Sequence, residues 1–382
     1  MHLTRRVGLL TTVIVVSLLV VLLLFPHNHL LPTNLPRNVV NDVLLHTEPS
    51  WSESTDIAST QDSSHLQTIT STQDLPHFQE DDQTRHVRQT VINPNYLSPL
   101  VINRIKYFVF FIGHARSGHS IVGAILDGHP HVVIAHEEDL FHKMVDEYKH
   151  FVKTQIFNVL WRNSKAAATE ELQLTKKGYN LFINNSYQGA YQSHIDIIGD
   201  KRGGMTADMI AKDRDTWESV FRRLKTVIGL PMKVFHVIRN PYDNIATIIL
   251  IKSQTTFHLM LKEMKLSNET YSCDPQLVDD EINDYFLLHQ GIEDVIIKHK
   301  LDVIEVHGQD LISNSRKAIS DMCDFLGVTC DSHFLKVSSD KVFMEESEMR
   351  YKLNWRHDQI RKIKENVKKF SNLQRYAESF NE

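Results

Sequence analysis

The sequence predicts a three-layer α/β domain with a mainly parallel central sheet. Two short apolar runs, Tyr107–Ile112 and residues 232–238, each lead into a polar loop and then into a helical pattern. Further apolar runs near residues 132, 195 and 301 have the length of buried strands, and longer helical stretches separate them. Strands that alternate with helices favour a parallel sheet that is covered on both faces.

Composition excludes several classes of protein. The 382 residues carry a formal net charge of -5, so the chain has no general basic surface for nucleic acid. We therefore expect no nucleic acid as a partner. The three Cys are too few for a disulfide scaffold and lack metal-site spacing, so we expect no metal either. Cys323 and Cys330 are close enough in sequence to pair, but sequence alone does not decide their geometry.

The amino terminus predicts a membrane anchor. Residues 7–25 contain no charge and are mostly aliphatic, and as a helix they would rise about 28 Å, close to a bilayer core. Arg5 and Arg6 precede this run, and the next basic residue is Arg37. The positive-inside rule then predicts residues 1–6 as a cytoplasmic tail. A cleaved signal peptide is the alternative, but no pair of small residues follows the run, which favours an uncleaved signal anchor.

The segment after the anchor differs from the rest of the chain. Residues 26–100 are rich in Ser, Thr, Gln, Asp, His and Pro, and sustain no apolar period. Such a segment buries too little apolar surface to offset its ordering entropy, so we expect a disordered, flexible stem. Residues 101–382 would then form the globular domain across the membrane. Sequons at Asn184 and Asn268 fit that exposure, although sequons are common by chance and their glycosylation stays open.

A glycine loop follows the first predicted strand. Residues 113–120 read Gly-His-Ala-Arg-Ser-Gly-His-Ser, and a helical stretch over residues 121–126 comes next. Free backbone N–H groups at a helix start bind oxyanions, and glycine lets the backbone approach the ligand closely. An arginine and two hydroxyls add further donors. The candidate anion-binding residues of this loop are Arg116, Ser117, Gly118, His119 and Ser120.

The spacing of this loop is close to the nucleotide-binding pattern GxxxxGK[ST]. His119 stands where that pattern has the Lys that grips the β- and γ-phosphates. The replacement argues against a nucleoside triphosphatase, although a P-loop-like domain remains the predicted architecture.

A second candidate anion site follows the apolar run 232–238. Arg239 comes at the end of this predicted strand, and Asn240-Pro241 suits the start of a helix. An Arg in that place points toward the crevice where open α/β sheets bind ligands. Thr247 lies eight residues later on the same helix.

These motifs resemble the sulfotransferase superfamily. Residues 110–138, from the Arg116-Ser117-Gly118 loop through Asp-Gly-His-Pro to the acidic residues, look like its 5′-phosphosulfate loop, nearest to the branch of the tyrosylprotein sulfotransferases. The resemblance implies 3′-phosphoadenosine 5′-phosphosulfate (PAPS) as donor, no metal, and Arg239 with Thr247 as a 3′-phosphate clamp. Two departures are that His119 replaces a hydroxyl residue, and that Gly308 stands where the tyrosylprotein enzymes carry a Tyr.

The resemblance also implies a catalytic base. The base of the tyrosylprotein branch maps on Glu137, directly after His136, and His136 is the alternative because histidine bases serve in other branches. Glu138 and Asp139 also fit a purely structural role, as acidic residues at the start of a helix.

Two other stretches are candidates for the surroundings of the site, and a third is a predicted helix. Residues 200–202, Asp-Lys-Arg, end a predicted strand and form either part of the rim or a solvated charge pair. Arg350 and Lys352 precede Trp355, as in the basic loop that closes over the nucleotide in the family. Residues 310–328 are predicted as one amphipathic helix ended by Gly327.

Together these inferences describe a single-pass type II Golgi membrane protein with a luminal PAPS-dependent sulfotransferase domain. The acceptor would be a hydroxyl of a glycan or of a protein tyrosine, and the oligomeric state, monomer or homodimer, stays open. Two rivals remain. One is a P-loop kinase or hydrolase, for which a Lys and a metal-binding carboxylate are missing. The other is a membrane-tethered binding protein with a catalytically inactive sulfotransferase fold.

Overall fold

A computed structural model describes residues 96–168, 181–253 and 269–380. The predicted cytoplasmic tail, the apolar run 7–25, nearly all of the stem and the sequon at Asn268 lie outside these ranges. Within them, no helix combines the length and the apolar character that crossing a membrane requires.

Five strands form one sheet, and every neighbouring pair is parallel, as predicted. The strands are β1 (Tyr107–Ile112), β2 (Val132–His136), β3 (Ile197–Lys201), β4 (Met232–Ile238) and β5 (Asp302–His307). Their order across the sheet is β2-β3-β1-β4-β5. The central strand is therefore β1, and the loops after β1 and β4 adjoin at the carboxyl edge of the sheet, where open α/β sheets bind ligands.

Helices cover the sheet and follow the strands in the predicted alternation. In the first half they are α1 (Pro99–Ile102), α2 (His119–Asp127), α3 (Leu140–Lys143), α4 (Lys153–Ala168), α5 (Gly203–Lys212) and α6 (Arg214–Ile228). In the second half they are α7 (Pro241–Lys252), α8 (Pro275–His299), α9 (Gly308–Ser313), α10 (Ser315–Leu326), α11 (Ser332–Ser339) and α12 (His357–Val367). Short 3-10 turns span Met349–Lys352 and Gln374–Tyr376.

The sheet is buried on both faces, which explains why β1 is apolar at almost every position. Phe108 and Phe110 pack into one core with α4 and α6, whereas Val109 and Phe111 pack into a second core with α2 and α10. Continuous apolar strands are typical of a parallel sheet between two helical layers. The predicted three-layer α/β arrangement of the globular part is therefore confirmed.

One predicted element is wrong in detail. The helix expected over residues 310–328 is two helices, because the chain breaks at Asn314. The Asn314 side chain accepts a hydrogen bond from the Lys317 N–H at 3.3 Å and so caps the start of α10. The predicted terminator is confirmed, since Gly327 ends α10 with a left-handed φ of 71°. Just beyond it, Cys330 forms a disulfide with Cys323, which answers the question that the sequence left open.

Candidate functional site

The loop between β1 and α2 lies at the carboxyl edge of the sheet and leads into the amino terminus of α2. Gly118 precedes α2 with a φ of 102°, and no side chain of the described residues caps the helix start. Gly113 has a φ of 128°, and a Cβ there would lie 2.6 Å from the Val237 carbonyl oxygen. Only glycine allows this close approach to β4. The N–H groups that begin α2 are thus presented as a site for an oxyanion.

Side chains from two other elements hold this loop. Asn244 of α7 donates through Nδ2 to the Ala115 carbonyl at 3.0 Å and to Ser117 Oγ at 3.1 Å. Ser117 is buried, so its hydroxyl belongs to the support of the loop as much as to its open face. Ser120 Oγ accepts from Lys201 Nζ at 3.1 Å.

His119 is turned into the fold. Its imidazole is buried, and Nε2–H donates to the Ile112 carbonyl at 3.1 Å. Burial lowers the pKa of His119 to about 4, so the ring is neutral near pH 7. The predicted contact between this side chain and an anion therefore needs correction, because the ring nitrogen that could donate is already bound. The imidazole supports the loop from inside the fold, and the backbone N–H of His119 is one of the groups that begin α2.

Arg239 lies beside the loop, as the two-site prediction requires. Its Nη1 donates to the Arg116 carbonyl at 3.3 Å and to Thr247 Oγ1 at 3.1 Å, and its Nη2 donates to the Ser347 carbonyl at 3.0 Å. Thr247 is buried and donates to the Asp243 carbonyl at 2.6 Å. The structure therefore brings the pair Arg239 and Thr247 to the Arg116 loop, which lies about 120 residues earlier in the sequence.

The segment that carries Arg350 and Lys352 packs against this pair. The buried Arg350 guanidinium forms ion pairs with Asp243 and, at 2.9 Å, with Glu348. The Arg350 carbonyl accepts from Trp355 Nε1 at 2.8 Å, and the Lys352 carbonyl accepts from the Tyr271 N–H at 2.8 Å. Arg350 thus anchors the segment beside Arg239, and in this conformation its charge is matched by Asp243.

Glu137 lies between two cations at the end of β2. Its Oε1 accepts from Lys201 Nζ at 2.9 Å, and its Oε2 accepts from Arg202 Nη1 at 2.7 Å. Glu137 has a left-handed φ of 62°, which is uncommon for a residue other than glycine and is typical of functional sites. Its side chain is 24% exposed, whereas that of Lys201 is 1% exposed. The carboxylate is therefore oriented by two cations while part of the side chain remains exposed to solvent.

Lys201 connects the acidic segment to the loop. Its ammonium contacts both Glu137 and Ser120, and burial lowers its pKa while Glu137 opposes that effect. The solvated charge pair considered for residues 200–202 is therefore wrong for Lys201. Its position on a strand end beside two charged neighbours was the sequence signal, but burial could not be read from it.

The neighbouring polar residues build the frame of the site. Glu138 is buried and accepts from Lys143 Nζ at 2.7 Å, Tyr148 OH at 2.5 Å and Asn163 Nδ2 at 2.7 Å. The half-buried His136 donates its backbone N–H to Asn163 Oδ1 at 2.7 Å. The expected role of an acidic helix start is wrong for Glu138, whose carboxylate binds these three side chains, and Asp139 precedes α3 without a side-chain cap hydrogen bond within the described residues.

Asp200 fixes the path of the acidic segment from the neighbouring strand. Its carboxylate accepts from the N–H groups of Glu138 and Leu140 at 3.0 and 2.9 Å. Burial raises the pKa of Asp200 to about 7. Sequence reasoning missed this role of Asp200, as it missed Asn244, because both act through residues that are remote in sequence.

Comparisons with known proteins find one family and several similar solved structures. A sequence model described as the sulfotransferase family matches residues 109–332. No curated protein sequence matches the chain. Similar solved structures include the sulfotransferase domain of the Synechococcus PCC 7002 olefin synthase, with 16% identity over 61% of this chain and 78% of that chain and a TM-score of 0.35.

Two further structures are also sulfotransferases. A mouse sulfotransferase complexed with PAP is 10% identical over 73% of this chain and 92% of that chain, with a TM-score of 0.37. A sulfotransferase from Alicyclobacillus acidocaldarius is 14% identical over 72% of this chain and 95% of that chain, with a TM-score of 0.33. Since the family match spans more than half of the 382 residues and carries both the glycine loop and Arg239, this chain belongs to the sulfotransferase family.

Proposed function

We propose that this protein transfers a sulfuryl group from PAPS to an acceptor hydroxyl by in-line displacement, with Glu137 as the base. The observation that carries the proposal is the position of Lys201. Its ammonium contacts Ser120 in the glycine loop and Glu137 at the end of β2, which supports a proposed base that lies beside the proposed donor loop.

The donor has two anionic ends, and the carboxyl edge of the sheet offers two cationic places. The N–H groups that begin α2, together with Arg116 and the hydroxyls of Ser117 and Ser120, would hold the 5′-phosphosulfate. Arg239 and Thr247, which already form a hydrogen bond, would hold the 3′-phosphate. Arg239 contacts the Arg116 carbonyl of the loop at 3.3 Å, so one nucleotide could reach both cationic places.

The residues around the loop suit the chemistry of sulfuryl transfer. Glu137 would accept the proton of the acceptor hydroxyl as that oxygen attacks the sulfur, and the bond from sulfur to the leaving phosphate oxygen would break. Lys201 and Arg116 would offset the charge that collects on that oxygen. Because Lys201 is almost fully buried, its charge acts in a poorly solvated site and is only weakly screened.

The acceptor is proposed as a hydroxyl of a glycan or of a protein tyrosine. Both substrates present an oxygen that is a poor nucleophile until a base removes its proton, and Glu137 would serve either. His136 remains the alternative base, since it is half-buried next to Glu137.

We also propose that the protein resides in the Golgi membrane with its domain in the lumen. Residues 7–25 would be the anchor, with the stem from residue 26 and then the catalytic domain. The predicted domain start at residue 101 shifts a few residues toward the amino terminus, because Leu97 is buried in the core and α1 begins at Pro99. Two features support the luminal location. The Cys323–Cys330 disulfide suits an oxidising compartment, and Asn184 of the first sequon is exposed.

Radiolabelled PAPS tests the proposal directly. The full chain is titrated with PAPS and then incubated with a panel of glycans and tyrosine peptides, with label transfer as the readout. We expect saturable binding and transfer to one class of acceptor. Absence of PAPS binding would overturn the proposal. Binding without transfer to any acceptor would favour the inactive, membrane-tethered binding protein.

A further inference from the structure

A second cluster of polar side chains lies where α8 crosses β4 and β5. His236 of β4 and Glu305 of β5 are directly paired in the parallel register, and Glu293 of α8 lies over them. One ligand atom from each of the three side chains lies within 4.8 Å of the other two. None of the three has a place in the proposed sulfuryl transfer.

His236 is the unexplained member of this cluster. It is 1% exposed, and neither ring nitrogen has a hydrogen-bond partner among the residues that the structure describes. Buried polar atoms in proteins are nearly always satisfied, so two open nitrogens on one buried imidazole indicate a ligand. The neighbouring His289, on α8, also has an open Nδ1.

The two carboxylates converge instead of spreading apart. Asn372 Nδ2 donates to Glu293 Oε1 at 2.8 Å and to Glu305 Oε1 at 2.9 Å. Two like charges that share one amide group repel each other, and a cation between them would relieve that repulsion. Asn372 Oδ1 also accepts a hydrogen bond from His289 Nε2 at 3.1 Å, so the same side chain orients both carboxylates and His289.

We propose that His236, Glu293 and Glu305 form a binding site for a divalent transition-metal ion, with Zn²⁺ as the best match. One imidazole and two carboxylates form a mixed nitrogen and oxygen donor set, which suits zinc and similar ions, whereas Mg²⁺ and Ca²⁺ prefer oxygen alone. Metal–ligand bonds of about 2.0–2.2 Å require the three side chains to draw together slightly, which flexible glutamates allow.

The surroundings satisfy two further requirements of a metal site. Ligating groups are normally oriented by outer hydrogen bonds, and Asn372 provides them for both carboxylates. The ion also needs an entry path. The side chains of Glu293 and Glu305 are 25% and 42% exposed, so the site opens to solvent on its carboxylate side.

The expected role of the ion is structural. It would join β4, β5 and α8 three residues before Arg239, which begins the loop after β4, and it would not take part in the proposed transfer. No sequence motif indicates such a site. Its ligands lie 57 and 12 residues apart, from 236 to 293 and from 293 to 305, a spacing that belongs to no zinc motif.

Zinc titration of the full chain tests the proposal. The protein is prepared without a histidine tag, stripped with a chelator, and titrated with Zn²⁺ in competition with a chromophoric chelator. We expect one equivalent to bind and the melting temperature to rise, since a ligand that binds only the folded state stabilises it. Glu305→Gln and Glu293→Gln should each weaken binding by at least about tenfold.

Asp294→Asn is the matched control. Asp294 is the neighbour of Glu293 on α8, is exposed, and is not among the three ligands, so its variant should bind Zn²⁺ like the wild type. Because Glu305 is largely exposed, its Gln variant should fold normally, and circular dichroism checks this. Failure of the wild type to bind Zn²⁺ would overturn the proposal. Wild-type affinity in both glutamate variants would also overturn it, because the ion would then be held by other histidines.

Discussion

Two adjacent glutamates illustrate how environment separates roles at the scale of the residue. Glu137 contacts Lys201 and Arg202 and keeps part of its carboxylate open, whereas Glu138 is buried among three donors. Their identical chemistry and neighbouring positions made them hard to distinguish in sequence. The left-handed φ of Glu137 turns the chain so that the two side chains meet different partners.

This difference predicts that a Glu→Gln substitution affects turnover at position 137 and stability at position 138. Glu137→Gln keeps the shape and removes the basicity, so turnover should fall by roughly 10²–10⁴-fold while PAPS affinity holds. Transfer of radiolabel and calorimetry measure the two quantities. Glu138→Gln is the matched control, and it should lower stability more than turnover because it weakens a partly buried ion pair with Lys143.

His136→Ala decides between the two candidate bases. On the present assignment it should reduce activity less than Glu137→Gln does. The assignment is wrong if Glu137→Gln retains most activity and His136→Ala abolishes it. If neither change matters, the base lies elsewhere.

Asp127, at the end of α2, predicts a pH dependence of stability. Its carboxylate accepts from the N–H groups of Ile134 and Gly189 and from Ser164, but burial raises its pKa from 3.8 to about 7. A raised pKa means that the stabilising contribution is complete below pH 3.8 and is lost as the pH rises through about 7.

Asp127→Asn removes this titration along with part of the hydrogen bonding. The variant should therefore be destabilised relative to the wild type by more at pH 5 than at pH 8. Denaturant unfolding at both pH values measures the difference in the free energy of unfolding. An equal difference at the two pH values would show that Asp127 does not titrate in this range.

At the scale of the element, the strand β4 and the helix α7 form one unit with the anion loop. Arg239 begins the connection, Thr247 lies two turns into the helix, and Asn244 between them holds the loop. Pro241 and the Asn240 cap fix where α7 starts, so that Asn244 and Thr247 both face the loop.

Arg239→Ala should weaken nucleotide binding by roughly 2–4 kcal/mol, because a phosphate would lose a charge-assisted partner. Thr247→Ala should cost less, roughly 1 kcal/mol for one neutral hydrogen bond. Calorimetric titration with PAP, the nucleotide product of the proposed reaction, measures both. Arg223→Ala on α6 is the control. Unchanged binding by Arg239→Ala would remove this residue from the donor site.

The start of α5 is fitted to the anion loop by a glycine. A Cβ at Gly203 would lie well within the van der Waals contact distance of the buried His119 imidazole, and so would clash with it. Gly203→Ala should therefore lower the free energy of unfolding by roughly 1–3 kcal/mol, as overpacking does. Denaturant unfolding measures it.

Gly291→Ala is the control for this prediction, because a Cβ within α8 would meet its nearest neighbour at 3.5 Å, an ordinary contact. It should be neutral or slightly stabilising, since alanine favours a helix. Equal effects of the two substitutions would contradict the packing argument around His119.

At the scale of the whole molecule, the topology decides where function can lie. With β1 in the centre of a parallel sheet, the loops after β1, β2, β3 and β4 all open at one edge. The glycine loop, Arg239, the candidate base and Lys201 come from these four loops or strand ends, and α7 and the turn Met349–Lys352 add Thr247, Arg350 and Lys352. The opposite end of the sheet carries none of the candidate residues.

The proposed topology of the full chain predicts its behaviour in microsomes. The domain should be protected from added protease and should lose mass on treatment with an endoglycosidase, because Asn184 would lie in the lumen. Detergent should remove the protection. A protease-sensitive, unglycosylated domain would contradict the proposed anchor and orientation.

Features that depend on residues close together in the chain could be predicted from the sequence. Continuous apolar runs predicted the five strands, the glycine loop and the Arg239 motif predicted two anion sites, and Gly327 predicted a helix end. Such features follow from backbone conformation and from burial on both faces, which a local pattern records. The family resemblance rested on the same motifs.

Tertiary structure alone decided which groups meet and which are already satisfied. It turned His119 inward to the Ile112 carbonyl, paired Arg350 with Asp243, and buried Lys201 between Ser120 and Glu137. It also assembled His236, Glu293 and Glu305 from two strands and a helix. Whether a charge is buried or partnered depends on packing between segments remote in sequence, and no local pattern encodes that packing.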